Sequence, residues 1–296
     1  MTIATEMTRA LIKTNGITLH VMQAGPEDGP LVILLHGFPE FWYSWRKQID
    51  YLAGQGFRVW SPDQRGYNLS DKPNGIPAYN LDYLADDVIG LIDAAGREKA
   101  CLVGHDWGGA VTWWTANKYP EKLEKIVILN APHHSVFARH IRSSRAQMLK
   151  SWYFFFFRLP WLPEMVIGLN NTESLVRALK TSSRPGTFTD ADMLEYRKAW
   201  SQPGAITGMV NWYRTVFQTP PQRLTSRRIT VPTLMLWGKK DTVLGAEMAQ
   251  PSIDLCDNGK LVFFEDATHW IQHEEPDRVN ALIGEFLTGA NPASPK

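Results

Sequence analysis

Hydrophobic and polar residues alternate along this chain in two distinct rhythms. Leu31-Val32-Ile33-Leu34-Leu35 is a continuous apolar run, and Phe57 to Trp60, Ala100 to Val103 and Ile126 to Leu129 repeat it. Runs of this kind suit strands buried on both faces of a parallel sheet. Between them lie amphipathic stretches, Trp42 to Ala53, Leu81 to Ala95 and Gly109 to Tyr119, each long enough for a helix. The pattern resumes at Thr233 to Trp237 and Lys260 to Phe264 and closes with a helix from about Pro276 to Leu287. Strands alternating with helices predict a mostly parallel, doubly wound α/β sheet with right-handed crossovers. Ahead of it, Leu11 to Asn15 and Ile17 to Gln23 flank Asn15-Gly16, which reads as a hairpin.

From about His133 to Leu224 the alternation stops. Helical patches such as Asp190 to Ser201 and Met209 to Phe217 are separated by Pro and Gly, without a convincing strand. The expected organisation is an α/β core over residues 1–132 and 225–296, with a helical cap inserted over 133–224. Asn291 to Lys296 read as a frayed tail.

Composition narrows the function. A net charge of +1 and no basic run argue against a nucleic-acid surface. Cys101 and Cys256 sit in separate segments and read as two reduced thiols, which points to a cytoplasmic protein. Met1 to Ala10 lacks the apolar core of a signal peptide. The greasiest window, Trp152 to Leu169, is broken by Arg158, Pro160, Pro163 and Glu164, too often for a membrane span. Its aromatic density suggests a cavity lining or a hydrophobic lid. His133, His134 and His140 have no carboxylate or cysteine pattern around them, so no metal is expected. No organic cofactor is implied, and a homodimer stays open.

The chemistry concentrates at the ends of the apolar runs, where open α/β sheets place their ligands and catalytic groups. Gly104-His105-Asp106-Trp107-Gly108 joins a strand to a helix starting near Trp107, with small residues that permit a sharp turn. This is the context of a nucleophile elbow, with aspartate where serine is usual. A carboxylate of reference pKa about 3.9 is already ionised at neutral pH and needs no base to act as nucleophile. It suits displacement at saturated carbon. Asp241 follows a later strand and His269 the last one, so nucleophile, acid and base stand in the chain order of α/β-hydrolases. His269 would activate water, and Asp241 would hold its tautomer. His36-Gly37-Phe38-Pro39 follows the first run, and the backbone N–H groups of Phe38 and Trp107 are the expected oxyanion donors. His36 and His105 read as structural, and Asp63 to Tyr67 as a loop held by a local ion pair.

Taken together, His36 to Pro39, Asp63 to Asp71 (DQRGYNLSD), Gly104 to Gly109 (GHDWGG), Asp241 and His269-Trp270 resemble the epoxide hydrolases of the α/β-hydrolase superfamily. The resemblance spans nearly the whole chain. Ser151-Trp152-Tyr153-Phe154-Phe155 and Asn211-Trp212-Tyr213-Arg214 are similar to the cap segments that carry that family's two lid tyrosines. It implies that Tyr213 and Tyr153 donate hydrogen bonds or protons to the epoxide oxygen. A phenol of pKa near 10 retains its proton at neutral pH and can do so. The substrate implied is a small hydrophobic epoxide, lined by Trp107, Phe38, Tyr153 and Tyr213 and opened to a vicinal diol through an ester on Asp106. A haloalkane dehalogenase shares the fold and the aspartate, but its second halide donor often follows His-Gly, and Phe38 has no side-chain donor. Fluoroacetate chemistry would want arginines where Gly108, Gly109 and Ala110 stand. A non-catalytic ligand receptor on the same scaffold would not need the triad.

Overall fold

A computed structural model describes residues 6–143, 148–149, 152–222, 224 and 226–289. The tail expected at Asn291 to Lys296 lies outside the described residues. Eight strands form one sheet: β1 (Thr8–Thr14), β2 (Ile17–Ala24), β3 (Leu31–Leu35), β4 (Arg58–Pro62), β5 (Ala100–His105), β6 (Leu123–Leu129), β7 (Thr233–Gly238) and β8 (Gly259–Phe264). Their spatial order is β1-β2-β4-β3-β5-β6-β7-β8. The β1–β2 hairpin and the β2–β4 pair are antiparallel, and every later pair is parallel. The hairpin turn has positive φ at both Asn15 (44°) and Gly16 (78°), the conformation that Asn-Gly supplies.

Period-two burial splits the sheet's side chains between two helical layers. Ile33, Leu35, Leu102, Ile126, Ile128 and Met235 pack on one face, against α2 (Leu81–Ala94) and α3 (Trp107–Lys118). Val32, Leu34, Val103, Val127, Leu129 and Leu236 pack on the other. There they meet Ile49 and Leu52 of α1 (Arg46–Gly54) and Val279 and Ile283 of the C-terminal helix (Pro276–Thr288). Each fully buried Leu or Ile contributes about 1.5–3 kcal/mol, which is why uninterrupted apolar runs become central strands.

Among the boundaries that differ from expectation, two have a clear sequence context. The stretch from Trp42 opens as a 3-10 turn (Trp42–Trp45) before α1, with Ser44 and Trp45 buried and Trp42 and Tyr43 half-buried. Strand β6 begins at Leu123, three residues early: Glu124 is exposed and Lys125 half-buried, so the charged start of a buried strand hid it from the apolar pattern.

Between β6 and β7 the described residues form helices: α4 (His134–Ser143), α5 (Trp152–Phe157), α6 (Leu162–Gly168), α7 (Glu173–Ser182), α8 (Asp190–Trp200) and α9 (Ala205–Gln218). They are fastened to the strand-end loops below. The Trp200 indole donates to the Pro39 carbonyl at 2.6 Å, the Trp212 indole to the Arg65 carbonyl at 2.9 Å, and the Tyr196 hydroxyl to Glu40 Oε1 at 2.7 Å. No described helix is long and apolar enough to cross a membrane.

Candidate active site

The chain runs from β3 to β4 on one side and then across to β5 on the other, so the sheet reverses direction at β3. A crevice opens at the carboxyl ends of strands that part this way. His36-Gly37-Phe38 leaves β3 and Asp106 leaves β5 at that crevice. Asp106 has φ 50° and ψ −119°, a strained conformation held because β3, β5 and α3 nearly touch. A methyl on Gly104 would overlap the Gly108 backbone, and one on Gly108 would overlap the Leu35 carbonyl. Gly37 lies equally close to the Asp106 side chain, so the loop after β3 can bring the Phe38 N–H to Asp106 Oδ1 at 2.9 Å. Among the described residues, the Trp107 amide makes no matching bond to that carboxylate.

His269 and Asp241 converge on the same point from β8 and β7. His269 Nδ1 lies 2.7 Å from Asp241 Oδ2, and its Nε2 lies 3.6 Å from Asp106 Oδ2. Asp241 Oδ1 accepts from the amides of Val243 (2.7 Å) and Leu244 (2.8 Å). Its Oδ2 also accepts from Asn130 Nδ2 at 2.8 Å. The acid is therefore oriented by three donors in addition to the histidine. Burial alone would raise the Asp106 carboxyl, but the His269 hydrogen bond, the His269 and His105 charges and the Phe38 N–H outweigh it, and the group stays ionised. Burial likewise opposes a charged His269, yet the Asp241 charge and the bond and charge of Asp106 lift it to about 10. At neutral pH His269 is an imidazolium beside the ionised Asp106.

Tyr213 on α9 and Tyr153 on α5 roof this cluster. The Tyr213 ring stands edge-on to Phe38 and to Trp107, 5.2 Å between centroids in each case, and 5.7 Å from the Tyr153 ring. Burial first, and the Asp106 charge second, push both phenols well above 10, so both keep their protons. Arg214, the residue after Tyr213, clamps the two lid segments together. It pairs with Glu164 Oε1 at 2.5 Å and donates to the Phe157 and Leu159 carbonyls. The structure thus brings Asp106, His269, Asp241, Phe38, Trp107, Tyr213 and Tyr153 into one cluster, with Asp241, His269 and Tyr213 buried and the rest half-buried.

Comparison with known proteins follows the same lines. Residues 30–276 match the family model of the alpha/beta hydrolase fold. The chain is 50% identical to AB hydrolase superfamily protein YfhM of Bacillus subtilis, over 93% of this chain and 96% of that protein. It is 41% identical to human Epoxide hydrolase 4, over 93% of this chain and 77% of that one. The crystal structure of the Bacillus megaterium epoxide hydrolase in complex with an inhibitor superposes with a TM-score of 0.85. It covers 94% of this chain and 100% of that one, at 30% identity. The chain belongs to the epoxide hydrolases of the α/β-hydrolase family.

Around the elbow of this epoxide hydrolase family member lies a network that sequence reasoning missed. Glu40, just past the His36-Gly37-Phe38-Pro39 segment, is fully buried. It accepts from His273 Nε2 at 2.7 Å, Gln272 Nε2 at 3.1 Å and the Tyr196 hydroxyl, and sits 3.3 Å from His105 Nδ1. Burial pushes this carboxyl up, but the His273 charge and the hydrogen bonds of His105 and His273 hold it well below the usual range. His105 in turn reaches the His269 carbonyl at 2.8 Å, so the network braces the backbone of the histidine above it. Asn130 was equally invisible. Its only sequence signal is a polar residue directly after the β6 run.

The remaining sequence expectations resolve individually. The Asp63–Tyr67 loop is not held by a local ion pair. Arg65 reaches Asp87 on α2, at 2.6 Å, and Asp63 reaches His20 on β2, at 2.7 Å, because each partner faces the loop from a neighbouring element. His36 accepts from the Gln64 amide at 3.0 Å and packs edge-on against Tyr67. Burial drives His133 down to about 2 and His134 to about 4, so both are neutral. No three His, Cys, Asp or Glu side chains are grouped to hold a metal among the described residues. Cys101 and Cys256 are separate buried thiols.

Proposed function

We propose that this hydrolase opens a hydrophobic epoxide to a vicinal diol through a covalent ester on Asp106, beneath a helical lid spanning roughly 133–224. The observation that carries the reading is an ionised carboxylate set opposite two phenols that retain their protons. Displacement at an epoxide carbon needs both partners at once, a nucleophile below the ring and an acid above its oxygen. Halide departure needs hydrogen-bond donors but no proton.

The protons balance through the cycle. Asp106 attacks carbon, the C–O bond breaks, and the alkoxide takes a proton from Tyr213 or Tyr153. Esterification removes the Asp106 charge, and with it one of the influences that hold a proton on His269. The imidazolium then gives up its proton, by way of solvent, to the tyrosinate. His269, now neutral and tethered by Asp241, removes a proton from water, and the hydroxide adds to the ester carbonyl. The oxyanion forms against the Phe38 N–H, with the Trp107 amide as the second donor of the hole. Collapse releases the diol and returns Asp106 as carboxylate and His269 as imidazolium.

The test is His269→Gln mixed with a reactive aryl or alkyl epoxide. Intact-protein mass spectrometry should show the mass of one substrate added at Asp106 and no diol. A variant that gains no mass sinks the two-step scheme. Wild type given haloalkanes beside epoxides should form diol without releasing halide, and the reverse would establish the dehalogenase.

A further inference from the structure

The lid's outer surface is built unlike the rest of the molecule. On α5, Tyr153, Phe154 and Phe157 turn inward, while Trp152, at 64% exposure, and Phe155 face out. Leu159, Trp161, Met165 and Leu169 continue the apolar surface, Trp161 at 68% exposure. Trp161 and Leu169 flank the two ends of α6, and Met165 stands exposed between them. Phe217 of α9 joins the patch, packing against Phe155 at 6.1 Å with the Arg158 guanidinium stacked 4.7 Å above its ring. Trp161 is held at φ 51°, an unfavourable backbone for a bulky side chain that here points into solvent. A soluble monomer rarely leaves contiguous aromatic surface on this scale uncovered.

Charge selects the occupant. From residue 133 to 171 the sequence has five basic residues and one acid, against a near-even 31 to 30 overall. Arg139 and Arg142 on α4 and Arg158 beside α5 are exposed, and the lone acid, Glu164, is already paired with Arg214. Arg158 stands in the patch over Phe217, and helix α4, which carries Arg139 and Arg142, adjoins α5 through the Phe137–Phe154 ring contact. A second copy docking through the same face would set these arginines against their own kind across a two-fold axis. Apolar and tryptophan side chains rimmed by arginine match an anionic bilayer surface, where tryptophan settles at headgroup level and cations meet phosphate.

We propose that the outer face of α5 and α6 seats this protein peripherally on anionic lipid membranes. The lid tyrosine Tyr153 lies on the inner side of the same helix, so a lipid-dissolved epoxide would enter directly beneath the seated face. That consequence rests on the reading of Asp106 given above; the seating itself does not.

The test is cosedimentation of the full chain with sucrose-loaded vesicles of phosphatidylcholine and phosphatidylglycerol, compared with phosphatidylcholine alone. Wild type should pellet with the anionic vesicles. Arg139→Glu/Arg142→Glu and Trp152→Ser/Trp161→Ser should each bind at least about tenfold more weakly, with hydrolysis of a water-soluble epoxide unchanged. Wild type remaining in the supernatant overturns the proposal, as do variants that pellet like wild type. Self-association that Trp152→Ser/Trp161→Ser abolishes, without vesicle binding by wild type, overturns it in favour of a protein interface. Vesicle binding by a protein that turns over no epoxide leaves the seating intact and removes only the Asp106 reading.

Discussion

The floor and the roof of the site are held by different physics. Below, Asp106, Asp241 and His269 stand at strand ends and are fixed by short polar contacts: 2.7 Å from His269 to Asp241, 2.7 and 2.8 Å from two backbone amides to Asp241, and 2.9 Å from Phe38 to Asp106. Above, Tyr213 and Tyr153 are fixed by ring packing against Phe38, Trp107, Phe154 and Phe157. Hydrogen bonds are directional, and they suit a floor where, in the proposed mechanism, a lone pair must meet carbon and a proton must leave water along set lines. Ring contacts are broad and forgiving, which suits a roof that in the proposed mechanism must admit substrate. In the proposed mechanism, charge chemistry falls to the sheet and proton donation to the helices.

The largest expected effect breaks the floor. Asp241→Asn keeps the shape but offers His269 Nδ1 an amide that can favour the wrong tautomer. Diol formation should fall roughly 10³- to 10⁴-fold, with the ester accumulating because the second step fails. Rapid-quench mass spectrometry reads this directly, and a loss of ester formation instead would mean that the floor does not divide the two steps.

A smaller effect should come from the roof. Tyr213→Phe preserves the ring contacts and removes one acid, so ester formation should slow by about 10²- to 10³-fold. Decay of the ester should stay near the wild-type rate. Single-turnover kinetics separates the two, and equal slowing of both steps would assign Tyr213 to general packing.

The smallest effect is on stability and has a definite sign. His269 has its folded pKa raised to about 10 from an unfolded value near 6.5. The stabilisation this represents is complete below about pH 6.5 and is lost as pH climbs through about 10. Between pH 7 and 10.5 the wild-type Tm should therefore fall more steeply than that of His269→Gln. Tyr213→Phe should keep the wild-type slope across the lower part of that range, since its phenol titrates well above 10. Parallel Tm-against-pH slopes for wild type and His269→Gln would show that the imidazolium adds nothing to the fold.

The floor was far more legible in sequence than its supports. Runs such as Leu31 to Leu35 announce central strands because burial on both faces leaves no polar position to interrupt them. Asp106, Asp241 and His269 are visible because each closes such a run. Glu40 is not, since its partners His273 and Tyr196 lie 233 and 156 residues away and no local pattern links them. Asn130 meets Asp241 across 111 residues for the same reason. Lid helix α6 was hidden because apolar residues there serve both an inner and an outer surface, Ile167 facing in and Met165 out, which blurs the one-sided periodicity that marks a helix.

Three of the bonds that fasten the lid differ in what they demand of the other side. Trp200 and Trp212 donate to backbone carbonyls, at Pro39 and Arg65, which any sequence with the same loop shape supplies. Tyr196 donates to a side chain, Glu40, that also serves His105 and His273. Among these three, a lid transplanted from a relative therefore brings two universal fittings and one keyed fitting. Grafts that exchange the lid while preserving the Tyr196–Glu40 pair keep the support under His269, and grafts that break it alter the floor without touching a floor residue.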